Sequence, residues 1–233
     1  MAANHEAFTS GGKLLPLDVF MPAAAGRAPF VLVLHGSFGM DPPYGDDIVS
    51  FAEALAENGV GAAIPYYLKA TGDAPGLGVV ALLASDTITA KHLTWRQASS
   101  DALTAMAGDA RVDPARMGVL GFSLGGDLAL SLGIGPPAAA PVRGVVDFFG
   151  PTHLLDPHWS RLPPTLIFHG KEDRLVDIGN SKRLDAGLKA AGRAKGTDFF
   201  YEVDGEGHGF KDPALTQSRD RTLEFFNAIL QGH

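Results

Sequence analysis

Three residues far apart in the chain are of the types that carry nucleophilic chemistry: Ser123, Asp173 and His208. Ser123 stands in Val119-Leu120-Gly121-Phe122-Ser123-Leu124-Gly125-Gly126, between an apolar run from Met117 and an alanine- and leucine-rich segment with helical spacing. A strand, a sharp turn and a helix fit that order. Such a turn holds its serine in a strained conformation, with the hydroxyl projecting at the strand end. Gly121 and Gly125 suit the close approach of strand and helix, where a side chain would clash. A serine hydroxyl is a weak nucleophile until a base takes its proton, and the base needs a carboxylate to orient it. Asp173 lies fifty residues beyond Ser123, and His208 thirty-five beyond Asp173, each in a loop just past an apolar run. Glu172 is the second choice for the carboxylate. Asp147 sits inside a strand pattern and reads as a buried or edge polar group.

The chemistry these residues support is attack of Ser123 on a carbonyl, with His208 as base and an acyl group carried on the serine until water releases it. The oxyanion needs two N–H donors. Leu124 N–H, at a helix N-terminus, is one expectation. Ser37 N–H, in the loop after the Phe30–Leu34 run, is the other, with Phe38 N–H as its alternative. Phe38, Tyr66 and Phe149 are expected to line a substrate pocket, with Phe122 and Trp159 as further candidates. His35 and His169 each precede a glycine at a strand end, where a structural role, a ring N–H to a loop carbonyl, is expected. His153 and His158, with Asp156, lack a third well-spaced ligand, so neither a metal nor a cofactor is expected.

These residues need elements that bring them to one place. Lys13–Phe20 after Gly11-Gly12 reads as half of an edge hairpin within residues 5–20. Phe30–Leu34 is an unbroken apolar run, as in a strand buried on both faces. A helix over 46–58, a strand over Val60–Ile64 and a long excursion over Pro65–Leu83 follow. A helix over 86–107 and a turn at Asp113-Pro114 precede the serine strand. Strands at Pro141–Phe149, Thr165–Phe168 and Phe199–Val203 then alternate with helices over 178–191 and 214–230. This alternation predicts an α/β fold, a mostly parallel central sheet with helices on both faces.

The 233 residues, 45% of them hydrophobic, fit one domain over 1–233. A formal net charge of −7 and no basic block exclude nucleic acid as an expected partner. There is no cysteine, hence no disulfide and no thiolate chemistry. No apolar run reaches the roughly 20 residues of a membrane span, and the N-terminus lacks a basic region followed by an apolar stretch. A soluble cytoplasmic protein without membrane contact is the expectation.

Several stretches resemble the dienelactone hydrolase family of α/β-hydrolases. They are Val33-Leu34-His35-Gly36-Ser37-Phe38-Gly39, Val112–Gly126, Phe168-His169-Gly170-Lys171-Glu172-Asp173-Arg174-Leu175-Val176 and Gly207-His208-Gly209-Phe210, spanning roughly residues 30–230. The resemblance implies an α/β-hydrolase fold without a large lid domain, a monomer or weak homodimer, and hydrolysis of small esters or lactones. Family members that act on dienelactone use a cysteine nucleophile held by a glutamate in the loop after the early strand, and bind the substrate carboxylate with arginines. Here the nucleophile position is Ser123, the loop reads Gly36-Ser37, and the nearest cationic candidates are Lys69 and Lys211. A serine carboxylesterase is therefore the expectation on this scaffold. A catalytically silent ligand-binding fold, and acyl transfer or peptide hydrolysis on the same scaffold, are the alternatives.

Overall fold

The computed structural model describes residues 3–24, 26–82, 88–135, 141–152, 158–192 and 198–231. Its centre is an eight-stranded sheet in the order β1-β2-β4-β3-β5-β6-β7-β8. The strands are β1 Asn4–Ser10, β2 Lys13–Phe20, β3 Ala28–Leu34, β4 Gly61–Pro65, β5 Val112–Phe122, β6 Val142–Phe148, β7 Thr165–Gly170 and β8 Asp198–Val203. β1 and β2 form the expected edge hairpin, and β2 runs antiparallel to β4. From β4 to β8 every pairing is parallel. The helices are α1 Tyr44–Glu57, α2 Leu77–Leu82, α3 Ile88–Ala107, α4 Leu124–Ile134, α5 Gly179–Ala190 and α6 Ala214–Phe226.

β3 shows why the apolar runs become central strands. All seven of its residues are buried, and alternate side chains enter two separate cores. Phe30, Leu32 and Leu34 pack with Trp95 of α3, Leu128 of α4 and Leu184 of α5. Val31 and Val33 pack on the other face with Phe51 and Leu55 of α1 and Phe226 of α6. Helices thus cover both faces, as the alternation of elements predicts. Register then aligns the strand ends: Leu34 pairs with Gly121, Phe122 with Phe148, Phe148 with Phe168, and Gly170 with Val203. The loops after β3, β5, β6, β7 and β8 consequently leave from one rim.

Three expectations are adjusted. Asp113-Pro114 lies within the range of β5 rather than between elements. The ladder to β3 is interrupted there, running from Ala28–Val112 to Phe30–Met117, and Asp113 Oδ1 accepts the Ala115 N–H at 3.0 Å. The turn exists as an irregularity in a strand. The excursion after β4 holds a 3₁₀ turn, Tyr67–Ala70, as well as α2. The closing helix leaves regular α geometry at Phe226 and continues as a π-type turn over Asn227–Gln231. Residues 83, 86 and 87 lie outside the described residues, and no large lid is present among those described. No helix is long and apolar enough to cross a membrane among the described residues.

Candidate active site

β5 delivers Ser123 to the rim in a conformation that few L-residues adopt, φ 56° and ψ −120°. The glycines around it are required by contact. A Cβ on Gly121 would fall 1.9 Å from Gly125 O, and one on Gly125 would fall 2.1 Å from Leu34 O. Ser123 N–H donates to Phe148 O at 2.8 Å, and Ser123 O accepts from Gly126 N–H at 2.8 Å as α4 begins. These bonds over-determine the strained turn, which is how such a conformation persists.

The loops after β7 and β8 are joined to each other. Lys171 N–H donates to Val203 O and Glu172 N–H to Glu206 O, both at 2.9 Å. Gly170 permits this, since a Cβ there would lie 2.3 Å from Glu206 O. The result is a continuous chain of contacts. His208 Nε2 lies 2.8 Å from Ser123 Oγ, and His208 Nδ1 lies 2.8 Å from Asp173 Oδ2. Asp173 Oδ1 accepts the N–H groups of Leu175 and Val176 at 2.8 and 2.9 Å. Burial favours the neutral acid, but hydrogen bonds from His169 and His208 outweigh it and hold Asp173 well below the usual carboxylate range. An ionised Asp173 only accepts, so His208 carries its hydrogen on Nδ1 and offers the Nε2 lone pair to the serine hydroxyl. Glu172 is exposed and has no hydrogen bond or ion pair with His208, whose Nδ1 meets Asp173.

The loop after β3 flanks the serine. A Cβ on Gly36 would lie 3.2 Å from Ser123 Cβ. The loop is anchored by Tyr67 Oη donating to His35 O at 2.6 Å, His35 Nδ1–H donating to Gly36 O at 2.8 Å, and Gly76 N–H donating to Ser37 O at 2.8 Å. His35 therefore has the expected structural role, and burial pushes its pKa down to about 4. Ser37 N–H and Leu124 N–H have no acceptor among the described residues. Both remain available for an oxyanion.

A cavity of about 400 Å³ opens beside Ser123 and His208. Phe38, Phe122 and Phe149 line it. Tyr66 does not: its hydroxyl donates to Asp18 Oδ2 of β2 at 2.8 Å, which ties it to that strand. Trp159 does not either, and packs on α5, where a Cβ on Gly187 would meet it at 2.2 Å. Lys69 and Lys211 are also outside the lining, and Lys69 Nζ sits 5.4 Å from the Tyr66 ring centre. Sequence reasoning missed Tyr44, Asp47 and Ile48 of α1, and Leu175, Asp177 and Asn180 beyond the acid, which all line the cavity. The unusual exposure of Leu175 and Tyr44 has no counterpart in the sequence pattern. His153 and Asp156 lie outside the described residues.

Two buried carboxylates lie beneath the serine turn. Asp127, four residues into α4, meets His92 Nε2. Asp147, at the end of β6, is fully buried and accepts the Gly150 N–H at 3.0 Å. Burial pushes Asp147 up to about 7, against the opposing pull of His169. The expected buried polar group is what the structure holds there.

The model of the dienelactone hydrolase family matches residues 17–229. A protein of Methylorubrum extorquens provisionally named carboxymethylenebutenolidase is 26% identical over 208 residues, 84% of this chain and 68% of that protein. Among solved structures, one provisionally described as a dienelactone hydrolase, from Klebsiella pneumoniae, superimposes with a TM-score of 0.79 at 19% identity. The match covers 96% of this chain and 97% of that one. A dienelactone hydrolase-like promiscuous phosphotriesterase from metagenomic libraries gives a TM-score of 0.78 at 20% identity, with 98% of each chain covered. At these identities the two structures are evidence for the shared fold.

Proposed function

The chain belongs to the dienelactone hydrolase family, and from that premise we propose that it is a serine hydrolase of small carboxylic esters or lactones. The observation that carries this reading is the unbroken line from Asp173 through His208 to Ser123, with 2.8 Å at each step. His208 takes the serine proton as Ser123 Oγ attacks the carbonyl carbon. Ser37 N–H and Leu124 N–H receive the developing oxyanion. His208 then returns the proton to the departing alcohol. Water, deprotonated by the same imidazole, releases the acid and restores Ser123.

The lining also bears on the substrate. It is largely aromatic and aliphatic, and Asp47 and Asp177 are on it while no lysine or arginine is, among the described residues. A lactone bearing a carboxylate would meet like charge there and no lysine or arginine among the described lining residues. Uncharged esters are the favoured class.

A fluorophosphonate probe should label Ser123 in the native chain and leave Ser123→Ala unlabelled. On a p-nitrophenyl ester, Asp173→Asn and His208→Ala should each lose at least roughly 10³-fold in kcat, as members of such a unit do. Glu172→Gln should stay within about twofold, as exposed substitutions away from a site do. Absence of labelling, or full activity in Asp173→Asn, overturns the reading.

A further inference from the structure

His169 closes β7 with its side chain fully buried. Its Nδ1 lies 2.7 Å from Ser181 Oγ on α5, and its Nε2 lies 2.9 Å from Val176 O. The same Nε2 is 3.3 Å from Asp173 Oδ2, the oxygen that also receives His208 Nδ1–H. A carbonyl and an ionised carboxylate only accept, so Nε2 carries a hydrogen, and the Ser181 hydroxyl serves Nδ1 in either state, donating to the neutral ring and accepting from the charged one.

The remaining neighbours fit this assignment. Asp147 on β6 adds an attractive charge, and the Phe149 ring lies 6.4 Å away, nearly perpendicular to the imidazole. Burial works against a charge on His169, but Asp173, Val176 O and Asp147 together lift it above the ordinary histidine range. The shorter contact of Nε2 is to Val176 O, and Asp173 Oδ2 lies between two imidazoles, at 2.8 Å from His208 Nδ1 and at ion-pair distance, 3.3 Å, from His169 Nε2. One reaches Ser123. The other has no route to the cavity.

We propose that His169 is a positioning residue, whose Nε2–H edge holds Asp173 in the orientation that receives His208 and draws off part of the charge that His208 feels. The catalytic meaning of this rests on the serine hydrolase reading above. Its electrostatic sign is independent of turnover. Without His169 the Asp173 carboxylate is less satisfied, attracts a proton on His208 more strongly, and moves the titration of His208 upward. A residue that only filled space would leave that titration where it was.

The test compares His169→Leu, which removes the donor, with His169→Gln, whose amide nitrogen offers two N–H groups where Nε2 stood. Ring-resonance NMR of His208, read without substrate, should show an upward shift of about half a pH unit in His169→Leu, reversed in His169→Gln. With a p-nitrophenyl ester, His169→Leu should lose about tenfold in kcat while KM stays within about twofold, and the acid limb of the rate should move the same way. In an Asp173→Asn background His169→Leu should cost nothing further, because its route is gone. If His169→Leu fails to fold, Ser181→Ala keeps the ring but removes its anchor at Nδ1, and should give a smaller shift of the same sign. An unmoved His208 titration in a folded variant, or a full additional loss in the Asp173→Asn background, overturns the proposal. If no ester turns over while the titration moves, the hydrolase reading fails and the positioning role stands.

Discussion

The ring of Phe149 lies 4.6 Å from the imidazole of His208, with the two planes tilted by 54°. Phe149 holds this place at φ 45°, in the left-handed region, just as Ser123 does at φ 56°. For a bulky residue that backbone costs on the order of 1–3 kcal/mol and persists only where the surroundings impose it. Here they do: Phe149 N–H donates to Phe168 O at 2.8 Å, and its ring meets those of Phe148 and Phe210. Both residues line the cavity, and the ring packed against the imidazole limits where His208 can swing.

Two truncations separate the backbone from the ring. Phe149→Ala and Phe149→Gly both remove the support of His208, and each should lower kcat on a p-nitrophenyl ester by about tenfold, the scale of a loosened catalytic group. They should differ in stability. Glycine accepts the positive φ freely, so Phe149→Gly should be more stable than Phe149→Ala by about 1 kcal/mol in urea denaturation. The opposite order would mean that the strain is not felt at this position.

Asp147 gives the fold a distinct dependence on pH. Its folded pKa is raised to about 7 by burial, while an unfolded carboxylate titrates near 4. The folded state therefore binds the proton more tightly. Its contribution to stability is fully present below about pH 4 and is lost as pH rises to about 7. Asp173 runs the other way, since its depressed pKa gives stability above the unfolded carboxylate range that is lost only in strong acid. Asp147→Asn removes the first effect and keeps an oxygen for the Gly150 N–H. Urea denaturation across pH 5 to 8 should show the variant gaining on the native chain by up to a few kcal/mol at the alkaline end. A constant difference across that range would refute the assignment.

Much of this arrangement can be read from residue order, and the reasons are local. A run such as Phe30–Leu34 has no polar face, so it has to be buried on both sides. Gly121 and Gly125 bracket Ser123 at the spacing that a tight strand-to-helix turn demands. The Ser, Asp and His candidates each follow an apolar run, and parallel strands send those ends to one rim. What order along the chain does not contain is the neighbour across the sheet. Tyr66 follows β4 closely, yet β4 pairs with the antiparallel β2 on one side, and Tyr66 N–H donates to Pro16 O at 3.1 Å. Its ring is thereby carried away from Ser123. Tyr44, Asp47 and Ile48 reach the cavity because of where α1 docks, which is set by tertiary packing alone. Choosing Asp173 over Glu172 follows from the turn after β7, which leaves Lys171 and Glu172 exposed while Asp173 turns in and accepts the Leu175 and Val176 N–H groups.

Tyr66 supplies a discriminating experiment on that geometry. Its hydroxyl is tied to Asp18 Oδ2 at 2.8 Å, and His5 Nδ1 meets the other oxygen of the same carboxylate at 2.6 Å. Burial, with the Asp18 bond added, pushes the phenol up to about 12, so it stays a donor throughout the working pH range. Tyr66→Phe keeps the ring and removes only that bond. It should cost about 1 kcal/mol of stability, the usual net value of one hydrogen bond, with kcat/KM on a p-nitrophenyl ester unchanged within about twofold. Phe38→Ala, by contrast, strips the cavity wall and the 5.2 Å stacking on Tyr44, and should raise KM several-fold for aryl or longer acyl esters. If Tyr66→Phe instead lost tenfold in kcat/KM at unchanged stability, its hydroxyl would have to reach the substrate. The segment after β4 would then have to swing toward Ser123 during turnover, against the anchoring that Asp18 and Pro16 provide.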